Sequence, residues 1–159
     1  MPRRGWERGL ERFASSKAGG WYFINVANRI DKHLVPATRG AVSTAIGQQV
    51  LVVETIGAKS GQARRIPLVY VTEGDAIVLI ASKGGAPKHP AWYHNLKANP
   101  EVRIWAKGRS GRYRAREAEG DERERLWGKA VDYYEGYAVY QQRTGGRRIP
   151  VMVLEPVSA

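Results

Sequence analysis

Cysteine is absent from all 159 residues. That absence excludes disulfides, a thiolate nucleophile, iron–sulfur clusters and thiolate zinc sites. It fits a reducing compartment. Histidine is scarce, with three in the chain. His89 and His94 lie five apart without a nearby acidic partner, which is no pattern for a metal centre. No apolar run approaches the roughly 18 residues of a membrane span. Met1–Ala18 is basic, but no uninterrupted apolar stretch follows it as in a signal peptide. The expected location is the cytoplasm. Also missing are a dinucleotide fingerprint, a Walker loop, a close Ser–His–Asp arrangement and any identifiable nucleic-acid-binding module.

Acidic residues are few as well: 15 Asp and Glu stand against 26 Lys and Arg, a formal net charge of +11. The excess belongs to the first two thirds, where residues 1–110 carry 17 basic and 7 acidic groups. Residues 111–159 nearly balance, with 9 against 8. Such a field attracts nucleic acid, anionic lipid or a phosphorylated small molecule, and charge alone does not choose among them.

The length suits one domain, expected over residues 21–159 behind a basic arm at 1–20. In the arm, Trp6, Leu10 and Phe13 recur at helical spacing among Arg3, Arg4, Arg8, Arg12 and Lys17. Such a segment can lie on an anionic lipid surface, pack on the domain or stay disordered. Trp21–Leu34 reads as a core helix through Phe23, Ile24, Ala27, Ile30 and Leu34, with Pro36 and Gly40 ending the pattern. Strands are expected at Val50–Thr55, Ile66–Thr72, Ala76–Ala81, Glu101–Lys107, Arg112–Glu119 and Arg148–Leu154. Glu73-Gly74-Asp75 and Gly108–Gly111 supply hairpin turns. Helices are expected at Pro90–Ala98 and Asp121–Tyr134, the second with an acidic first turn. About six largely antiparallel strands without crossover helices between the first three argue against a doubly wound sheet. A mainly β, α+β domain that curls into a small split barrel with flanking helices buries this pattern.

Three loci can carry chemistry. The loop Gly57-Ala58-Lys59-Ser60-Gly61-Gln62-Ala63-Arg64-Arg65 and the loop Ser82-Lys83-Gly84-Gly85-Ala86-Pro87-Lys88 each follow a strand. Glycines let backbone N–H groups converge and the cations add charge-assisted donors, a combination that suits phosphate or carboxylate. Basic surface turns have the same composition. The third locus is tyrosine-rich: Tyr134, Tyr137 and Tyr140 can share a helical face if the helix continues past Gly136. They can pack, shape a pocket or supply a proton. Arg109–Arg116 can touch a nucleic-acid backbone, but acidic residues follow at once, and no nucleic-acid partner is expected.

At these loci the chain resembles the deazaflavin-dependent nitroreductase family, which uses coenzyme F420. The resemblance covers about Val50 to Pro156. It rests on Glu54-Thr55-Ile56-Gly57-Ala58-Lys59-Ser60-Gly61, on Ala81-Ser82-Lys83-Gly84-Gly85-Ala86-Pro87-Lys88-His89-Pro90-Ala91-Trp92-Tyr93, on Asn95-Leu96-Lys97-Ala98-Asn99-Pro100, and on Ile149-Pro150-Val151-Met152-Val153-Leu154-Glu155-Pro156. It implies a split β-barrel and hydride transfer from reduced deazaflavin to a quinone, activated alkene or nitroaromatic acceptor. Lys59, Ser60 and Arg64 would hold the cofactor's acidic tail, with Arg65 compensating for Ala58 where relatives carry arginine. Ser82, Lys83, Gly84 and Gly85 would line the groove, and Pro67, Trp92 and Asn95 its wall. Tyr134, Tyr137 and Tyr140 would stand near the ring and substrate, with catalytic roles. A separate F420-reducing enzyme would be a partner through the diffusible cofactor. The arm would allow peripheral contact with the inner face of the cell membrane. An FMN-dependent reductase and a non-catalytic F420 or lipid carrier are the alternatives on the same barrel.

Overall fold

A computed structural model describes residues 28–43 and 48–157. The basic arm and the start of the first expected helix lie outside the described residues. The elements run α1 (Asn28–Ala37), β1 (Val50–Ile56), β2 (Ala63–Val69), β3 (Val71–Glu73), β4 (Ala76–Ile80), a 3₁₀ turn (Lys83–Gly85), α2 (Ala91–Ala98), β5 (Glu101–Trp105), β6 (Gly111–Glu117), α3 (Gly120–Tyr133), α4 (Gly136–Arg143) and β7 (Val151–Pro156).

Seven strands form one sheet in the order β2-β1-β5-β6-β7-β4-β3, every neighbouring pair antiparallel. The seventh strand arises because the apolar run Ile66–Thr72 is two strands. Val69 pairs with Val50, Val71 pairs with Val78, and Tyr70 alone joins them. β2 and β3 are the two edges of the sheet, so a single residue links its margins. The sheet must therefore curl on itself, and the expected split barrel is what forms.

The pleat sorts side chains into two layers. Leu51, Val53, Ile77, Leu79, Val102, Ile104, Tyr113, Ala115, Met152 and Leu154 fill the interior, together with Trp92 and Leu96 of α2. Outside, α3, α4 and the junction between them cover β4 and β7 through Leu126, Ala130, Tyr134 and Tyr137 against Val78, Ile80, Val151 and Val153. Val35 of α1 packs on Val50, Val52 and Trp105. Along α1 the buried positions are Asp31 and Val35, whereas Ile30 of the expected stripe stands 48% exposed. The helix also runs past Leu34 and takes in Pro36. Proline is tolerated there because only one hydrogen bond is forfeited, one residue before the helix ends. The Thr38 hydroxyl then donates to Leu34 O at 2.9 Å and Gly40 N–H to Val35 O at 2.8 Å. Gly40 has φ +86, and a Cβ there would lie 2.3 Å from Lys107 N, so glycine lets the helix end press on the β5–β6 turn.

Candidate functional site

Strand direction gathers the loops. β1, β6 and β4 run in one sense, because each is separated from the next by one antiparallel strand. The chain therefore leaves β1 at Ile56 and β4 at Ile80 at the same end of the barrel, where α2 also packs.

The first loop is shaped by its own groups. Gly57 N–H donates to Gln62 O at 2.8 Å, Gly61 N–H to Gly57 O at 2.9 Å, and Gln62 N–H to Ser60 Oγ at 3.2 Å. Ser60 thus braces the turn. Asn95 of α2 is buried and clips the loop from below. Its Oδ1 accepts from Ala58 N–H at 2.9 Å, and its Nδ2 donates to Thr55 Oγ1 at 3.3 Å. Asn99 Nδ2 adds a bond to Ile56 O at 3.3 Å. Lys59 and Arg64 are exposed at this end.

Alternation along β2 then divides the expected set. Arg64 pairs across from Thr55, on the interior-facing row with Ile66 and Leu68. Arg65 faces the other way: its Nε meets Glu54 Oε2 at 2.9 Å and its guanidinium lies 4.7 Å over the Trp105 ring. Pro67 is buried on the Arg65 side, opposite Val52. Arg65 and Pro67 are therefore not brought to the face that carries Arg64, Thr55 and Asn95.

The second loop combines φ −76, ψ −38 at Ser82 with φ +47 at Lys83, then φ +62 at Gly84 and +84 at Gly85. A right-handed residue followed by a left-handed one turns successive N–H groups into an anion-binding concavity. Ser82 N–H is bonded to Ile80 O, Gly85 N–H to Ser82 O and Ala86 N–H to Lys83 O. The Lys83 and Gly84 N–H groups have no acceptor among the described residues. Gly85 lies against α4: a Cβ there would meet Tyr140 O at 2.6 Å. This contact seats the loop on the α4 backbone at Tyr140.

The tyrosines do not share one helix. The chain turns extended at Tyr134, between α3 and α4. The three rings still converge, with centroids 5.0 Å apart for Tyr134–Tyr137, 6.0 Å for Tyr134–Tyr140 and 6.4 Å for Tyr137–Tyr140. The Tyr134 and Tyr140 hydroxyls are 3.0 Å apart. Tyr137 is buried, and desolvation holds its phenol well above the usual tyrosine range. Burial also raises Tyr140, offset in part by its bond to Tyr134. Trp92 is buried within the barrel rather than open at its mouth. Next to it in sequence, Tyr93 donates to Glu117 at 2.5 Å, and burial with that bond pushes its phenol up to about 12.

Sequence reasoning missed Arg147, which binds the second loop from behind through Ala81 O, Ser82 O and Ala86 O. Its one signal was a basic pair after Gly145-Gly146, which has the composition of any surface turn.

Carboxylates pair with several cations away from the two loops. Arg112 and Arg114 share Glu101, Arg116 bridges Glu122 and Glu155, and Arg125 and Lys129 share Glu73. Lys59, Arg64, Lys83 and Lys88 have no carboxylate partner among the described residues. These loops thus fit a ligand with an anionic tail, whose charge the protein itself leaves unmatched.

Residues 27–156 match the model of the F420H2-dependent quinone reductases. The chain belongs to that family. It is 42% identical over 107 residues to an F420H2-dependent quinone reductase of Mycobacterium tuberculosis, covering 65% of this chain and 71% of the relative. A solved F420-H2-dependent reductase superposes with a TM-score of 0.59 at 45% identity, covering 67% of this chain and 94% of that one. A second solved relative, described as a domain-swapped dimer, gives a TM-score of 0.64 at 40% identity over 80% of this chain and 96% of that one. The protein is an oxidoreductase of the split-barrel class, and its cofactor is coenzyme F420. Among the described residues no helix is long and apolar enough to cross a membrane.

Proposed function

We propose that the protein reduces a quinone, with F420 held at the barrel end where the two basic loops emerge. The observation that carries this reading is that both loops at this end of the barrel bear cations without a carboxylate partner among the described residues, Lys59, Arg64, Lys83 and Lys88, and that the second loop also bears the unused N–H groups of Lys83 and Gly84. Lys59 and Arg64 hold one side of the acidic tail, and Lys83 with the loop backbone holds the other. Ser60 and Asn95 keep the first loop in shape, and Trp92 backs the wall. Arg65 and Pro67 support β2 from its other face.

The bound cofactor supplies a hydride, which carries two electrons. A quinone that takes it needs one further proton to become a hydroquinone. Tyr140 is the tyrosine whose backbone seats Gly85 of the second loop. Its hydroxyl, bonded to Tyr134, orients the acceptor oxygen and passes a proton. Tyr137 supports the other two rings from the core. The acceptor class follows from the family to which the chain belongs; activated alkenes and nitroaromatics are secondary acceptors. A separate enzyme would reduce the oxidised cofactor again. A cytoplasmic protein with its basic arm on the inner face of the membrane would meet lipid-dissolved quinone there.

Titration of the purified protein with F420 and with FMN, followed by stopped-flow oxidation of the F420H2 complex by menadione, tests the reading. Selective F420 binding and rapid oxidation by menadione are expected. Tight binding with no oxidation by menadione or a nitroaromatic would make the protein a carrier instead. Binding that is unchanged in Lys59→Ala and Lys83→Ala would remove these two side chains from the site.

A further inference from the structure

Among the described residues, two that are not glycine have positive φ: Arg39 at +51 and Lys83 at +47. A left-handed backbone costs an ordinary residue roughly 1–2 kcal/mol and persists only where its surroundings over-determine it. Among the described residues the Lys83 side chain has no hydrogen bond or ion pair that offsets this. The compensation comes from Arg147, whose partners in the loop lie 61 to 66 positions away in sequence.

Arg147 uses every donor it has. Its Nε–H donates to Ala86 O at 3.0 Å. Its Nη1 meets Ala81 O and His89 Nδ1, each at 3.0 Å. Its Nη2 donates to Ser82 O and Ala86 O, each at 2.8 Å. A guanidinium carries five N–H bonds, and all five are matched here. Ala81 and Ser82 belong to the limb arriving from β4; Ala86 and His89 belong to the limb leaving for α2. One rigid fork therefore ties both limbs of the loop. The carbonyls it gathers turn toward Arg147, while Lys83 and Gly84 keep their N–H groups unused. No carboxylate neutralises Arg147 among the described residues, so a partly buried cation lies beneath an anion-binding turn.

We infer that Arg147 is a positioning residue for cofactor binding: it holds the Ser82–Ala86 loop in its left-handed form so that the Lys83 and Gly84 N–H groups receive an anionic group of F420. This rests on the reading, proposed above, that the loop binds the cofactor's tail. Lysine cannot replace it, because one ammonium point charge with three donors cannot span both limbs.

Arg147→Ala, Arg147→Lys and Lys83→Ala are compared by fluorescence titration with F420, with turnover at saturating F420H2 and with the KM for menadione. Both Arg147 variants should weaken F420 binding by about tenfold or more, the equivalent of about 1.4 kcal/mol. Menadione KM and turnover at saturating cofactor should stay near wild type. Guanidinium ion added at millimolar concentration should restore affinity to Arg147→Ala and not to Lys83→Ala. Wild-type affinity in Arg147→Lys would overturn the inference, as would losses in cofactor affinity, menadione KM and melting temperature that move together without rescue. If Arg147→Ala fails to fold, Arg147→Lys with its retained charge decides the matter. Weakened binding in Lys83→Ala beside normal Arg147 variants defeats this inference alone. Normal binding in Lys83→Ala and in both Arg147 variants defeats the reading of the loop itself.

Discussion

Asn95 Oδ1 accepts the Ala58 N–H at 2.9 Å across 37 positions of sequence, while Asn95 Nδ2 donates to Thr55 Oγ1. One buried amide thus fixes the base of the first basic loop to α2. Replacing it by leucine keeps the volume but leaves the Ala58 N–H and the Thr55 hydroxyl without partners. The expected cost is about 1–3 kcal/mol of stability. Chemical denaturation measures that cost, and F420 titration should show weaker binding with little change in turnover at saturation. An Asn95→Leu protein with unaltered F420 affinity would mean that the loop needs no such clip.

Gly136 is required by the tyrosine cluster. A Cβ at this position would lie 2.3 Å from Tyr134 Cζ and 2.5 Å from its hydroxyl oxygen. Gly136→Ala must therefore displace the ring and break the Tyr134–Tyr140 hydroxyl contact. Overpacking of this kind costs about 1–3 kcal/mol. Thermal melting should register it, and the KM for menadione should rise more than the dissociation constant for F420. Equal effects on both would mean that the cluster serves the cofactor rather than the acceptor.

Much of this arrangement was legible in the amino-acid order. Gly108–Gly111 marked the turn of the hairpin between Glu101–Lys107 and Arg112–Glu119, and the two glycine-bearing cationic loops stood out between apolar runs. Local pattern could not show that Tyr70 separates two strands, because the apolar run is continuous and the break is set by which partner each half pairs with. It also could not divide Arg64 from Arg65, since the face of an edge strand is fixed by register against β1. Tyrosine spacing suggested one helical face, but the convergence comes from a break at Tyr134 and a glycine beneath its ring. Arg147 was invisible because its partners are backbone carbonyls, which have no residue-type signature.

Salt and charge removal should separate loop cations from paired ones. Lys59→Ala and Lys83→Ala remove charges without carboxylate partners, so each should weaken F420 binding several-fold and flatten its salt dependence. Arg112→Ala breaks only an exposed contact with Glu101 at 3.4 Å, of a kind worth about 0–1 kcal/mol. Its F420 affinity should match wild type. Equal losses in all three would reduce the loops to contributors to a general positive field.

Tyr137 should not create an alkaline limb in the pH profile. Desolvation raises its phenol above the ordinary value of about 10, so the neutral form persists throughout the usual assay range. Tyr137→Phe should then leave the shape of the profile unchanged between about pH 6 and pH 9. Tyr140→Phe removes a hydroxyl in contact with Tyr134 and should lower turnover with menadione. A profile that changes shape in Tyr137→Phe would restore Tyr137 as a titrating catalytic group.

Acid should loosen the second loop through His89. Its Nδ1 lies 3.0 Å from Arg147 Nη1, a contact that holds only when Nδ1 is an unprotonated acceptor. Burial, then Arg147, then His94 lower its pKa from the ordinary value of about 6.5; Glu117 opposes them, and the Tyr93 ring packs beside it. Because the folded value lies below the unfolded one, the contribution to stability is fully present above about pH 6.5 and is lost as pH falls through the folded value. Melting temperature and F420 affinity of the wild type should therefore decline on acidification below that point. His89→Gln keeps a neutral hydrogen-bonding side chain without the titration, so its decline over the same range should be shallower. Identical slopes in the two proteins would show that some other group governs the acid response.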